Sequence, residues 1–344
     1  MKYDVTIGIP VYRAVDFIEN TLISALNQTF QSIEFLVVDD CGEDGSMDIV
    51  NRLKADHPRG NDIFILCNSY NLGVGGTRNR ILDESRGRYL FFLDSDDQIE
   101  PDTIECLYEK IREEMVDVVY GSLDKIDMIN NMPTETYMLP NDRLMYGDDM
   151  ALFAFKNYKS FQISVCNCLM NVEFLRSSNL RFMDTAFWED LAFTYEMVTK
   201  VSRAVLLSKI TYHYLCHSDS LSHYQDREYL KKEEILNNIH TINCLKDKCR
   251  CYLNKIYLPY LCYNLEMNSF YIVCHILKHN HRIIPKFSPL EMHEILHHPL
   301  SLRIIMRFRR KKVCNIVLWI MGKMPPLYSL LLVRLIDIIK RMVK

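Results

Sequence analysis

The stretch that decides the fold is Gly87-Arg88-Tyr89-Leu90-Phe91-Phe92-Leu93-Asp94-Ser95-Asp96-Asp97. Residues 89–93 are apolar or aromatic and follow a Gly-Arg pair, so they predict a fully buried central strand. The three carboxylates would then lie where the strand leaves the core, which is where open α/β sheets bind ligands. Three acids within four residues repel one another, and a divalent cation with oxygen ligands is the usual partner that they share. The alternative is a turn, because Asp and Ser are also common in turns and at helix starts.

Strands and helices alternate around this central strand. Residues 5–9, 34–38, 63–66 and 118–120 have the apolar character of strands, and apolar residues recur at helical spacing in the segments between them. Residues 204–207 and 210–214 predict two further strands. Short links between such elements predict an α/β fold with a mostly parallel central sheet and helices on both faces.

Informative residues cluster at the carboxyl ends of the predicted strands. Residues 10–12, 39–40, 71–79 and 94–97 each follow a strand. Loops at one edge of a sheet form a single crevice, which predicts a nucleotide site. Acids there can accept hydrogen bonds from a base or ribose, and Arg78 can meet a phosphate. Three glycines between residues 73 and 76 would let the backbone approach an anion, although the loop is neither G-x-G-x-x-G nor a P-loop.

The composition is that of a soluble globular protein, with 49% hydrophobic and 25% charged residues. Twelve Cys residues without a recognisable secretory signal predict a reducing, cytoplasmic compartment. The net charge of -3 hides an asymmetry, since residues 225–344 carry +12 and residues 1–224 carry -15. This split suits an acidic, metal-using body and a basic tail directed at an anionic partner.

An ordered set of motifs covers the first third of the chain closely. It comprises Ile9-Pro10-Val11-Tyr12, Leu26-Asn27-Gln28-Thr29, Val38-Asp39-Asp40-x-Gly42, Asp44-Gly45-Ser46, Asn71-x-Gly73, Arg78-Asn79 and Gly87-x-Tyr89-x-x-Phe92-Leu93-Asp94-Ser95-Asp96-Asp97. In order and spacing this set resembles the family 2 glycosyltransferases, which have a GT-A fold. The resemblance implies an inverting transferase that binds a nucleotide-diphosphate sugar through a divalent cation, Mn or Mg.

The resemblance also implies which residues bind the nucleotide. Pro10 and Tyr12 would flank the base, Asp40 would read its edge with Asp39 close by, and Arg78 would lie on the nucleotide side. Considered singly, Tyr12 could be a surface aromatic residue and the two acids a solvated strand end.

The acid stretch matches the family's D-x-D position. There the resemblance implies that one carboxylate binds the cation and another binds the donor's ribose or sugar. Asp94 and Ser95 would contact the donor, and the metal ligands would come from Asp94, Asp96 and Asp97. We expect Asp96 to hold the metal.

A candidate catalytic base lies in Trp188-Glu189-Asp190-Leu191-Ala192-Phe193. Inverting transfer needs a group that takes a proton from the acceptor hydroxyl. This segment resembles the family's E-D-x-x-F element, which makes Asp190 the general base and Glu189 its neighbour. The alternative is that both acids only complement the dipole of a helix that starts here.

His217 is a further candidate. Family members often carry an Arg near this position that is thought to reach the diphosphate, and this chain has none there. His217 could instead contact phosphate or ligate the metal, or it could be a surface residue.

The sequence predicts two regions, a catalytic domain at 1–224 and a basic, mainly helical region at 225–344. The domain would divide into a nucleotide-binding half, about 1–122, and an acceptor half, about 123–224. Near the C-terminus, basic residues flank apolar segments at 313–321 and 327–339 that are too short to span a bilayer. They suit an anionic membrane surface, which predicts peripheral attachment to the inner face of the cell membrane. Packing on the body or on a second subunit is the alternative.

These features predict an inverting glycosyltransferase with a UDP-sugar donor and a saccharide or lipid-linked saccharide acceptor. No nucleic acid partner is expected. Nucleotidyl transfer is a second hypothesis, but the first loop lacks the Gly-rich phosphate loop with Arg and Lys that it requires. A catalytically silent, membrane-associated scaffold of the same fold is the third.

Overall fold

A computed structural model describes residues 3–128, 132–140, 142–157, 164–185, 188–217 and 227–342. The chain divides into two compact units, residues 1–150 with 159–218, and residues 151–158 with 219–344. The domain boundary predicted between residues 224 and 225 lies outside the described residues.

The first unit is built on one sheet, which has ten strands among the described residues. The main path runs β3-β2-β1-β4-β9-β6-β10-β5, while β7 pairs with β6 and β8 with β10. The strands are β1 (Tyr3–Val11), β2 (Ile33–Asp39), β3 (Ile63–Cys67), β4 (Gly87–Phe92), β5 (Gln98–Ile99), β6 (Val118–Asp127), β7 (Met132–Tyr137), β8 (Arg143–Tyr146), β9 (Cys168–Asn171) and β10 (Arg203–Cys216).

Strand directions confirm the predicted, mostly parallel sheet. β1 is parallel to β2 and β4, and β2 is parallel to β3. Strand β9 runs antiparallel between β4 and β6, so β6 and its parallel neighbour β10 point the same way as the first four strands. Leu90, Phe91 and Phe92 of β4 are fully buried, as expected for a strand covered on both faces.

Helices α1 to α7 alternate with the strands of this sheet along the chain, although residues 151–156 of α5 belong to the second unit. They are α1 (Ile18–Leu26), α2 (Ser46–Asp56), α3 (Gly73–Glu84), α4 (Thr103–Glu114), α5 (Asp148–Lys156), α6 (Val172–Ser177) and α7 (Glu189–Lys200). Local sequence explains several of them. In α4, Ile104, Leu107 and Ile111 recur at helical spacing and are buried. The Asn171 side chain caps α6 by accepting hydrogen bonds from the backbone N–H groups of residues 173 and 174.

One predicted element differs in the structure. The sequence suggests two strands at 204–207 and 210–214, but both belong to the single strand β10. Its register against β6 shifts on either side of Ile210. A bulge of this kind absorbs extra residues without ending the strand, so the polar pair Ser208-Lys209 is not a break.

The second unit is helical, as predicted. Its core helix α9 buries Leu261, Leu265 and Phe270. A short parallel pair, β11 (Leu230–Lys231) and β12 (Ile283–Ile284), accompanies α8 (Lys232–Lys248), α9 (Leu258–His279), α10 (Pro289–Glu294), α11 (Leu302–Ile305), α12 (Lys312–Met321) and α13 (Pro326–Met342). Among the residues that the structure describes, no helix combines the length and apolar character required to cross a bilayer.

Candidate active site

The carboxyl ends of the first four strands meet at one edge of the sheet. The backbone N–H of Asp40 donates to the carbonyl of Val11 at 2.9 Å, and that of Asn68 donates to the carbonyl of Asp39 at 2.8 Å. The N–H of Leu93 donates to Gly8 at 3.0 Å. These bonds continue the ladder beyond the strands, so the loops predicted to form one crevice do lie together.

Asp40 organises the end of this crevice that the sequence predicts to bind the nucleotide. Its Oδ1 accepts hydrogen bonds from Asn68 Nδ2 and the Leu72 backbone N–H, both at 2.7 Å, and the residue is 2% exposed. Asp39 is half-buried and accepts a bond from the Gly42 N–H at 3.3 Å. Asp40 therefore fixes the loop after β3, a contact that sequence reasoning missed because nothing in the sequence around Asn68 indicates it.

Pro10 and Tyr12 differ in their access to solvent. Pro10 is buried within β1, whereas Tyr12 is 45% exposed with the Arg13 guanidinium 5.2 Å from its ring centroid. An exposed ring at a strand end can stack on a planar base.

Asp94 is the first of the three acids and pairs with Arg78. Arg78 Nη2 donates to Asp94 Oδ1 at 2.6 Å, and the Cys166 thiol donates to Asp94 Oδ2 at 3.2 Å. The next residue, Ser95, is held to α1 through its carbonyl, which accepts from Thr21 Oγ1 at 3.0 Å.

Asp97 is turned toward β10 and is 1% exposed. The Tyr212 hydroxyl donates to Asp97 Oδ2 at 2.6 Å, and the Leu215 N–H donates to Oδ1 at 2.8 Å. Burial raises the pKa of Asp97 well above its usual value, and the charges of Asp96 and Asp94 add to this. Sequence reasoning missed Tyr212, because a Tyr inside an apolar strand does not reveal a buried partner for its hydroxyl.

Asp96 lies next to His217, which brings together two of the predicted metal ligands. His217 Nε2 is 3.0 Å from Asp96 Oδ2, and the imidazole stacks on Phe17 with ring centroids 4.2 Å apart. Burial, and then the charge of Asp94, raise the pKa of Asp96, while its hydrogen bond to His217 opposes this. The buried Nδ1 of His217 has no hydrogen-bond partner among the described residues.

A carboxylate beside an imidazole fits a divalent cation of the Mn type. Within the described part of the chain, no three His, Cys, Asp or Glu side chains are arranged to hold a metal. Asp94 and Asp97 already have protein partners, so the pair Asp96 and His217 could supply only part of a coordination shell. Donor phosphates and water would complete it.

Arg78 connects the acid loop to α7. Besides Asp94, it contacts Glu189 through Nη1 and Oε1 at 2.7 Å, and its side chain is 5% exposed. Gly75, one turn earlier in α3, permits this approach, since a Cβ there would lie 2.6 Å from the Met183 carbonyl oxygen and 3.4 Å from Glu189 Cβ. Arg78 was predicted on the nucleotide side; the structure pairs it with two carboxylates, and the phosphate contact stays a prediction.

Asp190 follows Glu189 in the first turn of α7. Its Oδ1 accepts from the Leu191 N–H at 2.7 Å. Burial is the main cause that raises the pKa of Asp190 to about 7; the Glu189 charge adds to it and Arg78 opposes it. Such a carboxyl exchanges its proton near neutral pH, which suits acid–base chemistry. Two acids in the first turn of α7 also complement the dipole of this helix, so the structure is compatible with a catalytic role and with a structural one.

Comparison with known proteins identifies the family. The model of the family described as Glycosyl transferase family 2 matches residues 6–177, half of the chain. The chain belongs to this family. The glycosyltransferase is 28% identical over 250 residues to the UDP-Glc:alpha-D-GlcNAc-diphosphoundecaprenol beta-1,3-glucosyltransferase WfaP of Escherichia coli, a match covering 70% of this chain and 90% of WfaP.

Two further proteins extend the comparison. The cholesterol galactosyltransferase of Borreliella burgdorferi is 22% identical over 283 residues, which cover 79% of this glycosyltransferase and 77% of that protein. The crystal structure of S. aureus TarS 1-349 in complex with UDP-GlcNAc has a TM-score of 0.64 at 16% identity, covering 93% of this chain and 90% of that one. This likeness confirms the predicted GT-A fold.

Proposed function

We propose that this glycosyltransferase moves one sugar from a UDP-sugar to an acceptor hydroxyl with inversion, using a divalent cation and Asp190 as the general base. One observation carries the proposal: Arg78 bridges Asp94 and Glu189, residues that belong to the predicted donor site and the predicted base segment. Two candidate centres that lie far apart in the sequence thus share one buried ion-pair network.

The donor proposal rests on the crevice and on the relatives. Tyr12 would stack on the base, and the carboxylates of Asp39 and Asp40 would accept hydrogen bonds from its edge or from the ribose. Ser95 and Asp94 border the space beyond, where the sugar would lie. UDP is proposed because the names of WfaP and the TarS complex specify UDP-linked sugars.

Asp96 and His217 are the residues that would hold the cation. When bound, Mn or Mg would neutralise charge that develops on the departing diphosphate. The orphaned Nδ1 of His217 indicates that this ring has hydrogen-bonding capacity beyond its bond to Asp96. Asp97 would support the loop from behind through Tyr212 and would not face the cation.

Asp190 would accept the proton of the acceptor hydroxyl as its oxygen attacks the anomeric carbon from the face opposite the leaving group. Its pKa of about 7 leaves a large fraction ionised at neutral pH while keeping it basic enough to accept a proton. Glu189 would act as a positioning residue, because it holds Arg78 and its charge raises the pKa of Asp190.

The acceptor would be a saccharide or a lipid-linked saccharide of the cell envelope. The name of WfaP specifies a diphosphoundecaprenol-linked sugar. A poly(ribitol-phosphate) beta-glucosyltransferase of Bacillus spizizenii is 27% identical over 219 residues, which cover 62% of this chain and 32% of that protein. Such acceptors would place the reaction at the cytoplasmic face of the membrane.

Donor turnover tests the proposal directly. Purified protein is incubated with a panel of UDP-sugars and Mn, and release of UDP is measured with and without saccharide acceptors. Turnover that Asp96→Asn and Asp190→Asn each reduce by at least about 100-fold would support the assignment. Release of pyrophosphate from a nucleoside triphosphate would favour nucleotidyl transfer, and no turnover of any donor would favour the scaffold.

A further inference from the structure

The last helix of the second unit exposes a stripe of apolar side chains. Leu327, Leu331, Leu335 and Ile338 are 67%, 60%, 54% and 55% exposed. Their spacing of three or four residues places them on one face of α13. The opposite face, which includes the fully buried Val333, packs against α9 and α10. A helix that is apolar on both faces is normally covered on both, so the exposed face indicates a missing partner.

Helix α12 repeats this pattern. Val313, Val317 and Ile320 lie on one helical face and are 72%, 47% and 47% exposed. The same helix buries Asn315 and Leu318 on its other side, toward α9. We call the exposed apolar residues of α12 and α13 the C-terminal stripes.

Unpaired positive charge accompanies the C-terminal stripes. Residues 301–344 contain eleven Lys and Arg and a single Asp. Arg334 lies at the edge of the α13 stripe and is exposed. Six exposed basic residues form no ion pair with any described residue: Arg303, Arg307, Arg309, Arg310, Lys323 and Arg334. Unpaired basic residues beside exposed apolar ones fit a partner that is anionic at its surface and apolar beneath it.

We propose that the C-terminal stripes dock on an anionic lipid bilayer, with α12 and α13 lying in the interface. An amphipathic helix of this kind inserts its apolar face below the headgroups while basic residues contact lipid phosphates. A second copy of the chain fits less well, because the same surface would bring two sets of unpaired arginines together. The docking does not depend on the proposed transfer reaction.

Vesicle flotation tests the docking. Full-length protein is mixed with neutral phosphatidylcholine vesicles, or with vesicles containing about 30 mol% phosphatidylglycerol. We expect binding to the anionic vesicles that weakens in about 0.5 M salt, because salt screens charges at the surface. Arg309→Gln with Arg310→Gln should weaken binding by about fivefold for each charge removed. Leu331→Glu with Leu335→Glu should weaken it by more than about tenfold.

Matched variants make the result specific. Ile256→Glu changes an apolar residue of the same unit that is 57% exposed but lies before α9, and it should bind as the parent does. Arg88→Gln removes an exposed charge from the first unit and is the control for the Arg309 and Arg310 variants; it should also bind as the parent does. UDP release with a soluble acceptor should be unchanged in Leu331→Glu, which separates this proposal from the enzymatic one. Equal binding to neutral vesicles, equal loss in Ile256→Glu, or a concentration-dependent dimer that Leu331→Glu abolishes would overturn the proposal.

Discussion

Replacing Arg78 by Gln removes the guanidinium that joins the acid loop to α7. Its two ion pairs, 2.6 Å to Asp94 and 2.7 Å to Glu189, are buried on the arginine side, where the side chain is 5% exposed. Removing one partner of a buried pair costs about 3–5 kcal/mol, because the remaining charge stays buried without compensation. Asp94 keeps its bond from Cys166 and is 28% exposed, so we expect the lower end of this range.

Urea unfolding of the parent and the variant measures this cost. The control is Arg52→Gln, which breaks an equally short ion pair, 2.7 Å to Glu19, between side chains that are 54% and 47% exposed. Exposed pairs contribute about 0–1 kcal/mol, so the control should change the free energy of unfolding little. Adding Glu189→Gln to Arg78→Gln should restore part of the loss, because it removes one of the uncompensated carboxylates.

A pH profile separates this network from a purely structural role. Arg78 opposes the rise in the pKa of Asp190. Without the guanidinium that pKa should rise further, and the ascending limb of the activity profile should move to higher pH. If Arg78→Gln costs no more stability than Arg52→Gln, or leaves the profile in place, the network does not couple the two candidate centres.

Three further predictions concern the other acids and their partners. Asp190→Asn should reduce transfer by about 10²–10⁴-fold. The pKa of Asp190 is about 7 in the folded protein and 3.8 in the unfolded chain, so the parent loses stability as the pH rises toward 7. The variant has no carboxyl group at this position and avoids this loss. The free energy of unfolding of the variant minus that of the parent should therefore be larger at pH 8 than at pH 5, by up to about 3 kcal/mol. A difference that does not change with pH would contradict the raised pKa of Asp190. If His217 is a metal ligand as proposed, His217→Ala should raise the Mn concentration needed for half-maximal UDP release and narrow any preference for Mn over Mg, because a nitrogen ligand would be lost. Unchanged metal titrations would exclude His217 as a ligand. Tyr212→Phe should lower the free energy of unfolding by about 1–3 kcal/mol, because Asp97 loses a buried donor; a cost below about 0.5 kcal/mol, measured by urea unfolding, would show that Asp97 does not depend on this hydroxyl.

The sequence predicts those parts of the fold that depend on local composition. An uninterrupted apolar run makes β4 recognisable as a buried strand, and the acids that follow it must lie at its carboxyl end. The predicted break in β10 fails because a bulge depends on pairing with β6, which the residues around Ser208 do not reveal. The same limit applies to α13, since a helix with apolar residues on both faces does not show which face the fold will cover.

Contacts within the candidate site are less accessible to sequence analysis. Arg78 and Glu189 are 111 residues apart, and their contact depends on how closely α3 and α7 approach at Gly75. A glycine in a glycine-rich loop indicates an anion site as readily as a close packing contact. The phosphate contact of Arg78 was predicted from its place in the crevice and stays a prediction, while its two carboxylate partners could not be read from the sequence.

The three acids after β4 show why such a cluster can be stable before any cation binds. Asp94 is paired with Arg78, Asp96 with His217 and Asp97 with Tyr212, so each carboxylate is stabilised by a different side chain. Sequence analysis treats their repulsion as evidence for one shared cation. The structure gives each carboxylate a protein partner, although the charges of Asp94 and Asp96 still raise the pKa of Asp97. Asp96 has an imidazole as its neighbour, which is a potential ligand for a cation of the Mn type. A site with so few protein ligands should hold a cation weakly unless donor phosphates complete its shell, which would couple metal binding to the presence of the sugar donor.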